Sequence, residues 1–101
     1  MAKIMIWRLV ELKYVQEKFL PVRARHRNYL AGLAREGKLG FAGRLADDTG
    51  SVFLYGAETE DELQNLMDKD PYVIENVITD RTIREFVPGV AFNLPPQDHY
   101  E

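Results

Sequence analysis

The chain contains no cysteine. That removes a disulfide framework, a thiolate nucleophile and any zinc site built on cysteine. It also lacks any run near the roughly 18 apolar residues that a membrane-spanning helix needs. The apolar stretch at the start, Ile4-Met5-Ile6-Trp7, is too short for a signal peptide, and no small-residue cleavage site follows it. The expectation from these absences is a cytoplasmic protein with no membrane partner. An excess of basic charge is missing too. Thirteen Lys and Arg against sixteen Asp and Glu give a formal charge of −3, which leaves no electrostatic footprint for nucleic acid. Neither an HExxH pair nor a glycine-rich phosphate loop occurs, so neither a metal nor a nucleotide cofactor is expected.

What remains is the composition of one globular domain: 101 residues, 46% hydrophobic and 29% charged. Residues 3–10 (KIMIWRLV) are β-branched and aromatic-rich and predict a first strand. Residues 12–20 offer a first helical turn or two. Pro21 then suits the first position of a helix, where its missing N–H costs nothing. From there Val22, His26, Leu30, Leu33 and Ala34 form one apolar face. Gly37 closes the helix as a residue able to take positive φ.

Residues 39–45 predict a strand with Leu39, Phe41, Gly43 and Leu45 on one side. The turn signal Asp47-Asp48-Thr49-Gly50 leads to an antiparallel mate over residues 51–57. Thr59 and Glu62 make a capping box before a helix carrying Leu63, Leu66 and Met67 inward. Residues 77–87 alternate as a last strand with one buried face. The order β-α-β-β-α-β predicts an α+β, ferredoxin-like domain over residues 1–88. It is an antiparallel sheet with both helices on one face, followed by a tail over residues 89–101. Both sides of the strands carry apolar residues, Val52 and Leu54 against Phe53 and Tyr55, so a homodimer is expected to cover the second face.

Histidine is unusual on an apolar helical stripe, and His26 sits between Val22 and Leu30 on one. With an unperturbed pKa of about 6.5 it suits proton transfer at neutral pH; it equally suits a core-edge histidine bonded to a backbone carbonyl. Asp70 precedes Pro71 and reads as the N-cap of a last helical turn. A carboxylate fixed there can also orient an imidazole. Arg23, Arg25 and Arg27 alternate along the helix and read as a solvated face, with anion binding as the alternative. His99 lies in the tail without supporting pattern.

Taken in order, the motifs resemble those of the YCII-related family. They are His26-Arg27-Asn28-Tyr29-Leu30, Gly37-Lys38-Leu39, Ala42-Gly43, Leu45-Ala46-Asp47-Asp48 before Gly50, and Asp70-Pro71-Tyr72-Val73. The resemblance runs from about residue 3 to residue 87. It implies a ferredoxin-like fold of the dimeric α+β barrel group, with His26 and Asp70 as the active-site pair. Two positions depart from it: Gly43-Arg44 stands where members commonly read Gly-Pro, and Tyr72 where they commonly read Phe.

The function so implied is a small cofactor-independent lyase or isomerase acting on a small molecule. It would dehydrochlorinate or isomerise ring-derived lactones or hydroxylated aromatics. His26 and Asp70 would transfer the proton, and Arg44, Tyr72 and Arg81 would bind substrate. Arg44 reads equally as an exposed strand residue. The alternative function is a non-catalytic module that binds a small molecule or a protein.

Overall fold

A computed structural model describes residues 5–90, so residues 91–101 of the tail, with His99, lie outside the described residues. The first strand, β1 (Ile6–Tyr14), is longer than its aromatic-rich core suggests. Leu12 and Tyr14 are buried while Glu11 and Lys13 are exposed, so the period-two pattern carries the strand through residues expected to open a helix. Helix α1 (Gln16–Phe19) and a 3₁₀ turn (Leu20–Val22) follow, and Pro21 sits in that turn rather than in the main helix. Helix α2 (Arg23–Arg35) buries His26, Leu30 and Leu33 as its periodicity predicts. Gly37, at φ 76°, ends it. The Lys38 N–H donates to the Leu33 carbonyl and the Gly37 N–H to that of Ala34, the paired bonds of a Schellman close.

Strand β2 (Leu39–Arg44) pairs with β3 (Gly50–Ala57) as an antiparallel hairpin, with Asp48 at φ 65° in the turn. One expectation fails here. Leu39 pairs with Tyr55 but Phe41 pairs with Leu54, because the register slips by one residue between them. The extra residue sends Leu39 into the core and leaves Phe41 exposed on the opposite face.

Helix α3 (Glu60–Asp68) starts at Thr59, whose hydroxyl accepts the Glu62 N–H at 3.2 Å. The Glu62 carboxylate accepts from the N–H of Glu58, one residue before the expected cap position. The one-turn helix α4 (Pro71–Ile74) leads to β4 (Ile78–Phe86). No residue of β4 is fully buried, against the expected buried face. It is an edge strand, and the helices pack mainly over β1, β2 and β3.

The sheet order is β2-β3-β1-β4 with every pair antiparallel, the ferredoxin-like arrangement of two interleaved βαβ units. Val10, Leu12, Tyr14, Phe53, Tyr55 and Ala57 face the helices and make one core with Leu30, Leu33, Leu63 and Met67. On the other face Trp7 and Leu54 are each only 2% exposed, while Leu9 and Val52 are half-buried among Glu11, Lys13, Thr82 and Arg84. Among the described residues no helix is long and apolar enough to cross a membrane.

Candidate active site

Two short-range devices bring His26 and Asp70 together. The α2 periodicity turns His26 inward. Asp70, in extended backbone (φ −57°, ψ 126°), caps α4 with Pro71 at its first position. Its Oδ1 accepts the Tyr72 N–H at 3.0 Å and lies 2.7 Å from Nδ1 of His26. The Tyr55 hydroxyl donates to Oδ2 at 3.4 Å. The carboxylate is therefore held from three directions while only 1% exposed, and the imidazole is 5% exposed. The histidine's partner is a carboxylate, not the backbone carbonyl of the blander reading.

Aromatic rings fix the imidazole plane. Tyr72 stacks on it with centroids 3.7 Å apart and planes 3° from parallel, and Phe53 meets it at 5.4 Å and 62°. The surroundings resist charge on oxygen. Burial, then the negative charges of Asp70 and Glu36, push the Tyr29 hydroxyl up to about 12. Burial first and Asp70 second push Tyr55 higher still. Burial is also the main cause raising Tyr72, against the lowering effect of a hydrogen bond from Arg23. These phenols stay protonated at neutral pH, so Tyr55 is a standing donor to Asp70.

A cavity of about 220 Å³ opens beside His26. Tyr72 and Phe53 contribute aromatic rings to its lining, and Arg27, Arg44 and Ser51 line it as well. Arg44, at the end of β2, lines the cavity and donates to Asp48 at 3.2 Å. Arg81 is placed elsewhere. It lies on β4 opposite Leu12 and pairs with Asp68 of α3 at 3.0 Å, outside the cavity lining. Among the described residues no group of three His, Asp or Glu side chains could hold a metal ion.

Ser51 and Tyr55 are site residues that the sequence did not single out; Arg27, read there as part of a solvated helix face with anion binding as the alternative, also lines the cavity. Ser51 is buried on β3 and its hydroxyl pairs with that of Tyr14. The only signal was parity: Ser51 and Tyr55 share the helix-facing side with Phe53. Nothing in the pattern indicated that these hydroxyls meet other polar groups.

Residues 3–87 match the model of the YCII-related domain. No curated protein is similar enough in sequence to match the chain. Among solved structures, the fold is similar to 5-chloro-2-hydroxyhydroquinone dehydrochlorinase (TftG) from Burkholderia phenoliruptrix AC1100, in complex with 2,5-dihydroxybenzoquinone. The TM-score is 0.70 at 22% identity, covering 82% of this chain and 95% of the other.

Proposed function

The chain belongs to the YCII-related domain family, and on that premise we propose that it is a small cofactor-independent lyase or isomerase working by proton transfer. The observation that carries this reading is the buried 2.7 Å contact between His26 Nδ1 and Asp70 Oδ1, beside a cavity that His26 lines. With Nδ1 engaged by the carboxylate, Nε2 is the nitrogen that takes a proton from a ring hydroxyl or an acidic carbon. Asp70 holds the ring orientation and stabilises the imidazolium that forms. Returning that proton to a different atom of the substrate completes an isomerisation. Where the protonated carbon carries chloride, loss of a second hydroxyl proton expels the chloride, and the net loss is HCl.

The cavity volume favours a ligand smaller than the usual drug-sized occupant, about one substituted ring. The similar dehydrochlorinase is complexed with a compound of that size. The same reading keeps the chain cytoplasmic and pairs it as a homodimer through the open sheet face, an interface of roughly 2,000 Å² or more. A stable monomer at micromolar concentration in sedimentation would remove the dimer.

The test of function is turnover of chlorinated hydroxyhydroquinones and of ring-derived lactones. His26→Ala is expected to lower the rate by about 10²-fold or more with the circular dichroism unchanged. Binding without turnover would replace the enzyme with a binding module, and a His26→Ala rate equal to wild type would remove His26 as the base.

A further inference from the structure

Three arginines alternate at the start of α2, and each has a different surrounding. Arg25 approaches Glu75 at 3.4 Å. Arg23 lies over the Phe19 ring at 4.7 Å and comes within 4.0 Å of Asp48. Arg27 has no acidic partner among the described residues. It lines the cavity beside His26 and also the adjoining groove between α2 and β2. Arg44 reaches the same cavity from β2, and its one recorded acidic partner, Asp48, is shared with Arg23.

The charge around the cavity is therefore one-sided. Two arginines line it, and among the described residues no Asp or Glu does. The one buried carboxylate nearby, Asp70, is already engaged by His26, Tyr72 and Tyr55. We propose that Arg27 and Arg44 make this a site for a small organic anion, with Arg27 the residue that binds the oxyanion. The ligand class is a single ring bearing a carboxylate or an acidic enol that is ionised at neutral pH. This rests on reading the cavity as the ligand site, and it does not require turnover. A guanidinium remains charged at any working pH and offers a planar fork of donors matched to such an oxygen pair.

Titration calorimetry at pH 7 tests this with two probes of one ring size. In 2,5-dihydroxybenzoquinone the hydroxyls are vinylogous acids and ionise; 2,5-dimethoxybenzoquinone has no acidic proton. The wild type is expected to bind the dihydroxy compound at least tenfold more tightly, with affinity falling as salt rises. Arg27→Gln is expected to lose at least tenfold for the anion and nothing for the neutral ring. Arg35→Gln, in the last turn of α2 and outside the cavity, is expected to match wild type. Equal affinity for the two probes, no binding of the anion, or equal behaviour of Arg27→Gln and Arg35→Gln would overturn the proposal. His26→Ala separates it from the catalytic reading. If no protein turns over any substrate but the anion preference persists in His26→Ala, the proton-transfer reading falls and the anion site stands.

Discussion

The imidazole of His26 lies flat against the ring of Tyr72, and the backbone N–H of that same Tyr72 donates to the carboxylate that His26 contacts. Asp70, Pro71 and Tyr72 are thus one local unit. The proline starts the turn, the aspartate caps it, and the tyrosine fixes the plane in which the imidazole meets the cap. An ionised carboxylate only accepts hydrogen bonds, so a neutral imidazole beside it carries its proton on Nδ1 and leaves Nε2 as the acceptor nitrogen.

The tautomer is directly measurable. Nitrogen-15 chemical shifts of the neutral His26 ring are expected to show the Nδ1–H form in wild type. In Asp70→Asn, where the side chain offers both a donor and an acceptor, the two tautomers are expected to mix. A wild-type ring protonated on Nε2 would exclude the proposed base.

Stability should separate the two jobs of Asp70. Asp70→Ala removes the cap of α4 and leaves the buried His26 and Tyr55 donors without a partner. The expected cost is about 2–4 kcal/mol in urea unfolding. Asp70→Asn keeps one acceptor oxygen and is expected to cost about half as much. Equal losses would mean that the negative charge, rather than the cap, dominates.

The parts of the fold legible in the sequence were those set by short-range chemistry. Gly37 ended α2, Thr59 capped α3 and Asp70 capped α4 because each acts on backbone within a few residues. His26 stood out because a polar ring on an apolar stripe is costly without a partner. The misreadings were long-range. The slip between Leu39 and Phe41 depends on how β2 meets β3, and the exposure of β4 depends on which strands the helices cover. Arg81 was within reach of the site by sequence order alone, but its strand position sends it to Asp68. Arg27 was read with its neighbours as a solvated face, with anion binding as the alternative; it is exposed and also lines the cavity, a position that one helix turn does not reveal.

The close approach of Trp7 and Gly56 gives a test of the open sheet face. They are directly paired across β1 and β3, and a Cβ at position 56 would clash with the indole ring. Trp7 is buried, so its ring has little room to move aside. Gly56→Ala is expected to destabilise the fold by about 1–3 kcal/mol and to shift the tryptophan emission. An unchanged emission spectrum and urea midpoint would show that the ring yields freely.

The last prediction concerns alkaline pH. Tyr29 donates its hydroxyl to the Leu66 carbonyl at 2.7 Å, tying α2 to α3. Its pKa is raised to about 12, first by burial and then by the charges of Asp70 and Glu36. In the unfolded chain a tyrosine titrates near 10. Between these values the folded state holds the proton and the unfolded state releases it, so stability falls as pH rises. The contribution is complete below pH about 10 and is lost as pH climbs through about 12. Tyr55, raised in the same direction, adds a loss of the same sign. Tyr29→Phe gives up the hydrogen bond, about 1 kcal/mol at neutral pH, but no longer has a proton to lose. Urea midpoints at pH 8, 10 and 11 should therefore converge for the two proteins as pH rises. Lysine titration affects both alike and cancels in the difference. Parallel curves would show that the Tyr29 hydroxyl ionises as readily in the folded protein as in the unfolded chain.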